Sequence, residues 1–270
     1  WLTINNLVLG IFNMLPGWAE VFALPPEPRI KALADPAVRK KLIEGLNARK
    51  NELRANNQFD KMSVHSVVAP ELKAFEGRNL ADLAREQGIT PVEVFLNLSV
   101  ADRLRVYFLS GDIGNDPDSW RLRKELWNNP RVVLGASDAG AHLDSLDAFT
   151  YTTDLVGPSV RERKLLSLEE AVYRVTDQIA RFNNLKGRGR LAPGWWADVT
   201  IFDPKTIRPD KTTMREDLPA GQSRIFAEAI GIDRVMSNGV EIVVNGKVTG
   251  ETPGHVMRSG RDTSNLTEAA

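Results

Sequence analysis

Short apolar runs alternate with capped helix patterns between residues 104 and 182, and this alternation constrains the fold more than any other feature. The two runs are Leu104–Leu109 and Arg131–Asp138, the second preceded by Pro130 and interrupted by Gly135. A short apolar run bounded by proline and glycine is typical of a strand buried on both faces of a parallel sheet. Strand, helix, strand and helix at this spacing predict an α/β fold with a parallel sheet.

The helix patterns each carry a recognisable start. Asp116-Pro117 opens one helix and Ser167–Glu170, a capping box, opens another, whose predicted apolar face is Val172, Val175, Ile179 and Phe182. Further upstream, about residues 25–100 are predicted to be largely helical. Their signals are an Asp35-Pro36 start, an Asn79 start with a Gly88 end, and a capping box at Thr90–Glu93.

The pattern changes after Lys186 and becomes typical of β-structure. Val199–Phe202 is predicted as a strand, and two Asn-Gly pairs, Asn238-Gly239 and Asn245-Gly246, lie between alternating apolar residues. Asn-Gly in this setting predicts a tight hairpin, because both residues tolerate positive φ. We therefore predict an α/β part over residues 1–187 and a β lobe over residues 188–270, with a disordered polar tail after Arg258.

Composition excludes several classes of protein. The chain has 35 basic and 35 acidic side chains, so a basic surface for nucleic acid or an anionic membrane is not predicted. It has no cysteine, which rules out disulfides, thiolate zinc sites and a cysteine nucleophile. No uninterrupted run of apolar residues is long enough for a transmembrane helix, and no signal peptide is recognised. We expect a cytoplasmic protein.

Gly135–His142 is the stretch in which chemistry is most expected. It places Asp138 at the carboxyl end of the predicted buried strand, among small residues that let a ligand or metal approach. That end of a parallel sheet is where active sites lie in α/β folds. The alternative is that Asp138 forms a turn by bonding to its own backbone.

Several motifs occur together in an order that resembles a known family. The chain from about Trp18 to Arg258 is similar to the C-terminal half of metal-dependent amidohydrolases, in the branch of the N-acyl-D-amino-acid deacylases (D-aminoacylases; amidohydrolase 3 family). The motifs are Ser137-Asp-Ala-Gly-Ala-His142, Leu185-Lys-Gly-Arg-Gly-Arg-Leu-Ala-Pro-Gly194, Trp196-Ala-Asp-Val-Thr-Ile-Phe-Asp203, Val244-Asn-Gly-Lys-Val248 and Thr252-Pro-Gly254.

The resemblance implies a (β/α)8 TIM barrel with a helical insertion, followed by a small β-sandwich lobe. It also implies one or two divalent metal ions, expected to be Zn²⁺, at the barrel's C-terminal face. Asp138 falls on the family's last aspartate, so it is the expected catalytic base and metal ligand. Residues 1–187 are fewer than the ~200 that a short barrel needs. They offer three predicted strands, Leu2–Phe12, Leu104–Leu109 and Arg131–Asp138. We therefore expect a C-terminal fragment, inactive alone, with most metal ligands upstream.

The three histidines are assigned separately. His142, four residues after Asp138, is the candidate for substrate binding and could instead contact a metal; a solvated loop residue is the other alternative. His65 lies in the predicted helical insertion and is expected to be structural or exposed, with a lid role as the alternative. His255 is expected on the surface of the β lobe.

The substrate is left open by the loop after Asp138. In D-aminoacylases an arginine there reads the substrate carboxylate, but residues 143–149 contain none and the next arginines are Arg161 and Arg163. The leading hypothesis is a hydrolase that cleaves a non-peptide C–N bond of a small-molecule amide. The alternatives are a cyclic amide or imide hydrolase and a non-catalytic scaffold. A homo-oligomer is left open.

Overall fold

The computed structural model describes residues 4–5, 15–48, 58–110, 114–135, 137, 140–141, 143–144 and 146–264. The chain divides into two compact units, Leu2–Asp116 and Pro117–Ala270, here called the first and second units. Both combine helices and antiparallel sheet. The predicted division at residues 187 and 188 lies inside the second unit and stays a prediction.

The first unit is mainly helical, as predicted for residues 25–100. It also holds a three-stranded antiparallel sheet in the order β1-β3-β2. In chain order its elements are β1 (Ile4–Asn5), α1 (Trp18–Phe22), α2 (Pro26–Ala34), α3 (Pro36–Ala48), β2 (Ser63–Ser66), α4 (Leu80–Gln87), α5 (Pro91–Ala101) and β3 (Tyr107–Leu109).

The predicted helix starts in this unit are confirmed. The Ala37 amide donates to Asp35 Oδ1 at 2.7 Å, and the Ala81 amide donates to Asn79 Oδ1 at 2.7 Å. The capping box of Thr90 and Glu93 is formed at the start of α5. These side chains satisfy amide donors that a helix start otherwise leaves unpaired.

Aromatic side chains form the centre of the first unit's core. The ring of Phe95 is fully buried and lies 5.0 Å from Phe59 and 4.3 Å from Phe108, measured between ring centroids. Trp18 is also fully buried, and its indole nitrogen donates to the Leu42 carbonyl at 3.0 Å. These contacts join α1, α3, α5 and β3 into one apolar core.

The second unit begins with helices and ends in β-structure. Its sheets are β11-β10-β9-β4, β5-β8 and β6-β7. In chain order its elements are α6 (Pro117–Trp127), α7 (Tyr151–Val156), α8 (Pro158–Arg161), α9 (Leu168–Val175), α10 (Asp177–Phe182), β4 (Val199–Phe202), β5 (Arg208–Pro209), β6 (Thr213–Leu218), β7 (Gln222–Phe226), β8 (Ala229–Ile230), β9 (Ile232–Ser237), β10 (Val240–Val244) and β11 (Lys247–Val248).

The predicted parallel sheet is wrong for the part of the chain that the structure describes, where every strand pair is antiparallel. The predicted strand at 131–138 is also wrong for its described residues, 131–135 and 137, which lie in no strand. A strand needs a neighbour to take its backbone hydrogen bonds. Instead, the Val132 amide donates to the Asn129 carbonyl at 2.9 Å, closing a turn.

Two further boundaries differ from the predictions. The strand expected from Leu104 begins only at Tyr107, because Arg103 and Leu104 have φ of 54° and 64° and turn the chain. The helix expected through Phe182 breaks at Thr176, where φ is −127° and ψ is −90°. Phe182 is therefore 68% exposed and does not continue the apolar face. The barrel and sandwich implied by the resemblance stay predictions.

Both predicted Asn-Gly hairpins are confirmed. Asn238 and Gly239 join β9 to β10 with φ of 49° and 83°, and Asn245 and Gly246 join β10 to β11 with φ of 49° and 75°. Two successive positive φ values are the signature of the tight turn that matches strand twist.

The tail after Arg258, which the sequence predicts to be disordered, forms hydrogen bonds with the rest of the second unit in its described residues, 259–264. The Lys186 amide donates to the Asp262 carbonyl, and the Ser264 amide donates to the Asn184 carbonyl, each at 2.9 Å. These backbone bonds fasten the tail to the end of α10. Residues 265–270 lie outside the described residues.

The hydrogen bonds of the Asp262 carboxylate make the stability of this tail dependent on pH. The Arg261 guanidinium and then the Arg258 amide donate to the Asp262 carboxylate and lower the pKa of Asp262 from 3.8 to about 2. A lowered pKa means that this carboxylate stabilises the tail above pH 3.8, and that the contribution disappears as pH falls toward 2. We expect the protection of the Arg258 amide, its exchange rate compared with the intrinsic rate of an unstructured amide at the same pH, to fall over that interval in wild type. An Asp262→Asn variant should show no such step, and a step that persists in it would contradict the assignment.

Candidate functional site

Asp138 and His142, the two predicted site residues, lie outside the described residues. The structure does describe the chain on both sides of them. It also describes the side chains that hold these flanking segments in the second unit.

The segment before Asp138 is anchored to helices of the second unit. Leu134 packs against the core that contains Leu155 and Leu166. The Val132 carbonyl accepts from Gln178 Nε2 of α10 at 3.5 Å. Side-chain packing and a turn, and not a strand, therefore hold residues 132–134, which lead toward Asp138.

The segment after His142 is anchored to β-structure. The Leu143 carbonyl accepts from the Ile225 amide of β7 at 2.7 Å. Asp147 is buried, and its Oδ2 accepts from Thr212 Oγ1 at 2.6 Å while its Oδ1 accepts from Thr150 Oγ1 at 3.1 Å. Both hydroxyls satisfy a carboxylate that burial would otherwise destabilise. This cluster thus fixes the chain shortly after the candidate site.

The sequence analysis missed Asp147 and Thr212. Asp147 and Thr150 have the three-residue spacing of a turn in which a side chain bonds locally. The sequence could therefore have indicated this contact. Thr212 is 65 positions away from Asp147 and carried no such signal.

Replacing Thr212 by valine tests this anchor. Valine keeps the shape but removes the hydroxyl, which leaves a buried carboxylate oxygen without its donor. We expect a loss of about 1–3 kcal/mol in the free energy of unfolding, with faster amide exchange over residues 146–150. The matched control is Thr213→Val at an exposed neighbour, expected within about 0.5 kcal/mol of wild type. Equal effects in the two variants would contradict the anchoring role of Thr212.

The structure describes the other two histidines, one in each unit. His65 lies on β2 of the first unit, so its expected place in a helical segment is corrected to a strand. His255 is exposed, as predicted. Its ring centroid lies 5.1 Å from that of Trp196, and its Nδ1 is 3.4 Å from Asn238 Nδ2.

The arginines that follow the candidate site have partners already. Arg161 Nη1 donates to the carbonyls of Pro204 and Ile207 at 3.0 and 2.8 Å. Arg163 Nη1 pairs with Asp154 Oδ2 at 2.9 Å, and its guanidinium lies 4.3 Å from the centroid of the Trp120 ring. Both guanidiniums thus support the second unit's own structure.

The described residues include no cluster of metal-binding side chains. Among them, no three His, Asp or Glu side chains lie close enough together to hold a metal ion, so these residues by themselves do not fit a metal centre. The described part of the chain likewise contains no helix that is long and apolar enough to cross a membrane.

Comparison with known proteins identifies the family. The model of the Amidohydrolase family matches residues 27–249, which is most of the chain. The chain therefore belongs to the amidohydrolase family, a family of hydrolases, and the resemblance noted from the motifs is confirmed.

Two curated relatives, both from Alcaligenes xylosoxydans xylosoxydans, match about two thirds of the chain. An N-acyl-D-glutamate deacylase is 39% identical over 192 residues, which are 70% of this chain and 34% of that protein. A D-aminoacylase is 30% identical over 190 residues, again 70% of this chain and 34% of that protein. The chain thus spans about a third of the length of these relatives.

A solved structure gives a more distant match. It is an N-acyl-D-glutamate deacylase from Bordetella bronchiseptica, complexed with zinc and a phosphonate inhibitor that mimics the tetrahedral reaction intermediate. It is 24% identical, with 77% of this chain and 44% of that chain covered and a TM-score of 0.42.

Proposed function

We propose that the protein carrying this sequence hydrolyses the amide bond of N-acyl-D-amino acids. The observation that carries the proposal is the 39% identity to an N-acyl-D-glutamate deacylase over 192 residues. In this reaction water adds across the C–N bond, giving a carboxylate and a free amino acid. A divalent metal ion, zinc, is part of the proposal because the related Bordetella bronchiseptica enzyme is complexed with zinc.

Asp138 is the proposed general base and a proposed metal ligand. A carboxylate in this role takes a proton from the attacking water and passes it to the leaving nitrogen. His142 is the proposed substrate-binding residue, since it follows Asp138 by four positions. The anchors at Val132 and Asp147 support these roles, because they hold both ends of the segment between.

A cyclic amide or imide is the second candidate substrate. It is favoured by the absence of arginine from residues 143–149 and by the other partners of Arg161 and Arg163. A cyclic amide or imide without a carboxylate substituent needs no such cation.

The test is turnover of matched substrates by the full-length protein. We expect release of free amino acid from N-acetyl-D-glutamate and not from N-acetyl-L-glutamate, with loss of turnover after chelation and recovery with Zn²⁺. Turnover of a dihydropyrimidine or hydantoin in place of the acyl amino acids would favour the cyclic substrate. No turnover of either class would favour the scaffold alternative and contradict the proposal.

A further inference from the structure

The two Asn-Gly hairpins carry the same dipeptide in the same kind of turn, yet their surroundings differ. We propose that Asn245 is a site of spontaneous deamidation and that Asn238 is protected from it. The comparison is internal, because both dipeptides belong to the second unit and differ in their contacts and not in their chemistry.

The reaction needs only water. The backbone nitrogen of the glycine attacks Cγ of the asparagine, so an N–Cγ bond forms and the Cγ–Nδ2 bond breaks. The glycine nitrogen gives its proton to solvent, and Nδ2 leaves as ammonia after taking a proton. Water then opens the five-membered succinimide at either carbonyl, which yields aspartate or isoaspartate. The net change is the exchange of an amide for an acid, with one water consumed.

Both reacting groups are held in place at Asn238. Its Nδ2 donates to the Pro253 carbonyl at 2.7 Å, and its Oδ1 accepts from Arg188 Nη2 at 2.9 Å. The nucleophile is held as well, because the Gly239 amide donates to the Ala197 carbonyl at 2.9 Å. At least three hydrogen bonds must therefore break before this nitrogen can reach Cγ.

Neither reacting group is held at Asn245. Its side chain is exposed, and in the described part of the chain no hydrogen bond joins the Asn245 amide group or the Gly246 nitrogen to another residue. The space around Gly246 is open, with nothing within 4 Å of a Cβ built there. The dipeptide is restrained through its backbone, by the bond from the Asn245 amide to the Asp233 carbonyl at 2.7 Å and by the pairing of Val244 with Lys247 on either side.

The hairpin at Asn245 also opens more easily. Succinimide formation needs the peptide after the asparagine to rotate out of the turn, so the hairpin must open locally. Its outer strand, β11, is the two-residue edge strand Lys247–Val248, and Val248 is 79% exposed. Short, exposed edges have the lowest free energies of local opening. Isoaspartate at 245 would add a methylene to the backbone and break the pairing of Val244 with Lys247.

The test is incubation of the chain at 37 °C and mildly alkaline pH, followed by mass spectrometry. Proteolysis after Glu241 places Asn238 and Asn245 in separate peptides. An Asn245→Asp variant supplies the aspartate reference for the modified peptide. We expect conversion at Asn245 to be at least about tenfold faster than at Asn238, since each of the three extra hydrogen bonds contributes a factor of roughly 2 to 10.

A parallel incubation in urea removes the structural difference. There the two rates are expected to agree within about threefold, because both sites are then ordinary Asn-Gly dipeptides. Faster conversion at Asn238 in buffer, or equal rates in buffer, would overturn the proposal. So would a tenfold difference that persists in urea, or no conversion at Asn245 over a period that converts the urea sample.

Discussion

Replacing Asp138 by asparagine in the full-length protein is expected to lower kcat/KM for its amide substrate by roughly 10²- to 10⁴-fold. Asparagine has nearly the same shape as aspartate but cannot take up the proton of the attacking water. The loss should therefore appear mainly in kcat. The measurement is a steady-state rate profile against pH, with metal content determined on the same samples.

The matched control is Asp144→Asn, which removes another carboxylate six positions away. We expect it to leave kcat within about threefold of wild type, because this half-buried carboxylate has no part in the proposed proton transfer. The far-UV circular dichroism of both variants should match wild type. Retained turnover in the Asp138 variant, or an equal loss in both variants, would contradict the assignment of Asp138.

The features that sequence predicted well are those determined within four or five residues. The capping box of Thr90 and Glu93 forms because both partners lie in one helical turn. Gly88 ends α4 with φ of 68° for the same local reason. The hairpin at Asn245 likewise follows from the φ preference of two adjacent residues.

The features that sequence did not predict depend on partners distant in the chain. Whether an apolar run becomes a strand depends on a neighbour that takes its hydrogen bonds, and Val132 bonds to Asn129 and Gln178 instead. The hydrogen bonding of the tail depends on Lys186, 76 positions before Asp262. The anchor of Asp147 depends on Thr212 in the same way. The role of Asp138 stays a prediction from the motif around it.

Replacing Gly157 by alanine is expected to cost about 3 kcal/mol in the free energy of unfolding of the second unit. A Cβ at this position would lie 2.1 Å from the Ile207 carbonyl oxygen and 2.8 Å from that of Thr153. Both contacts are with backbone, so no side-chain rotation relieves them. Ile207 is 2% exposed and is also held by Arg161, which leaves it little freedom to move.

The matched control is Gly254→Ala, the same chemical change at a glycine with nothing within 4 Å of the added Cβ, and it should stay within about 0.5 kcal/mol of wild type. In Gly231→Ala the added Cβ would lie 2.6 Å from the Ile207 nitrogen. This variant should therefore be comparably destabilising.

Gly157 precedes α8, whereas Ile207 follows β4, so their contact crosses the predicted division at residues 187 and 188. If the helices and the β-structure unfold together, Gly157→Ala should raise amide exchange in α9 and in β9 by the same factor. If residues 188–270 form a separate lobe, exchange in β9 should stay at the wild-type rate while α9 opens. Hydrogen exchange resolved by element distinguishes the two outcomes. A change confined to α9 would contradict a single cooperative second unit and support the division that the sequence predicts.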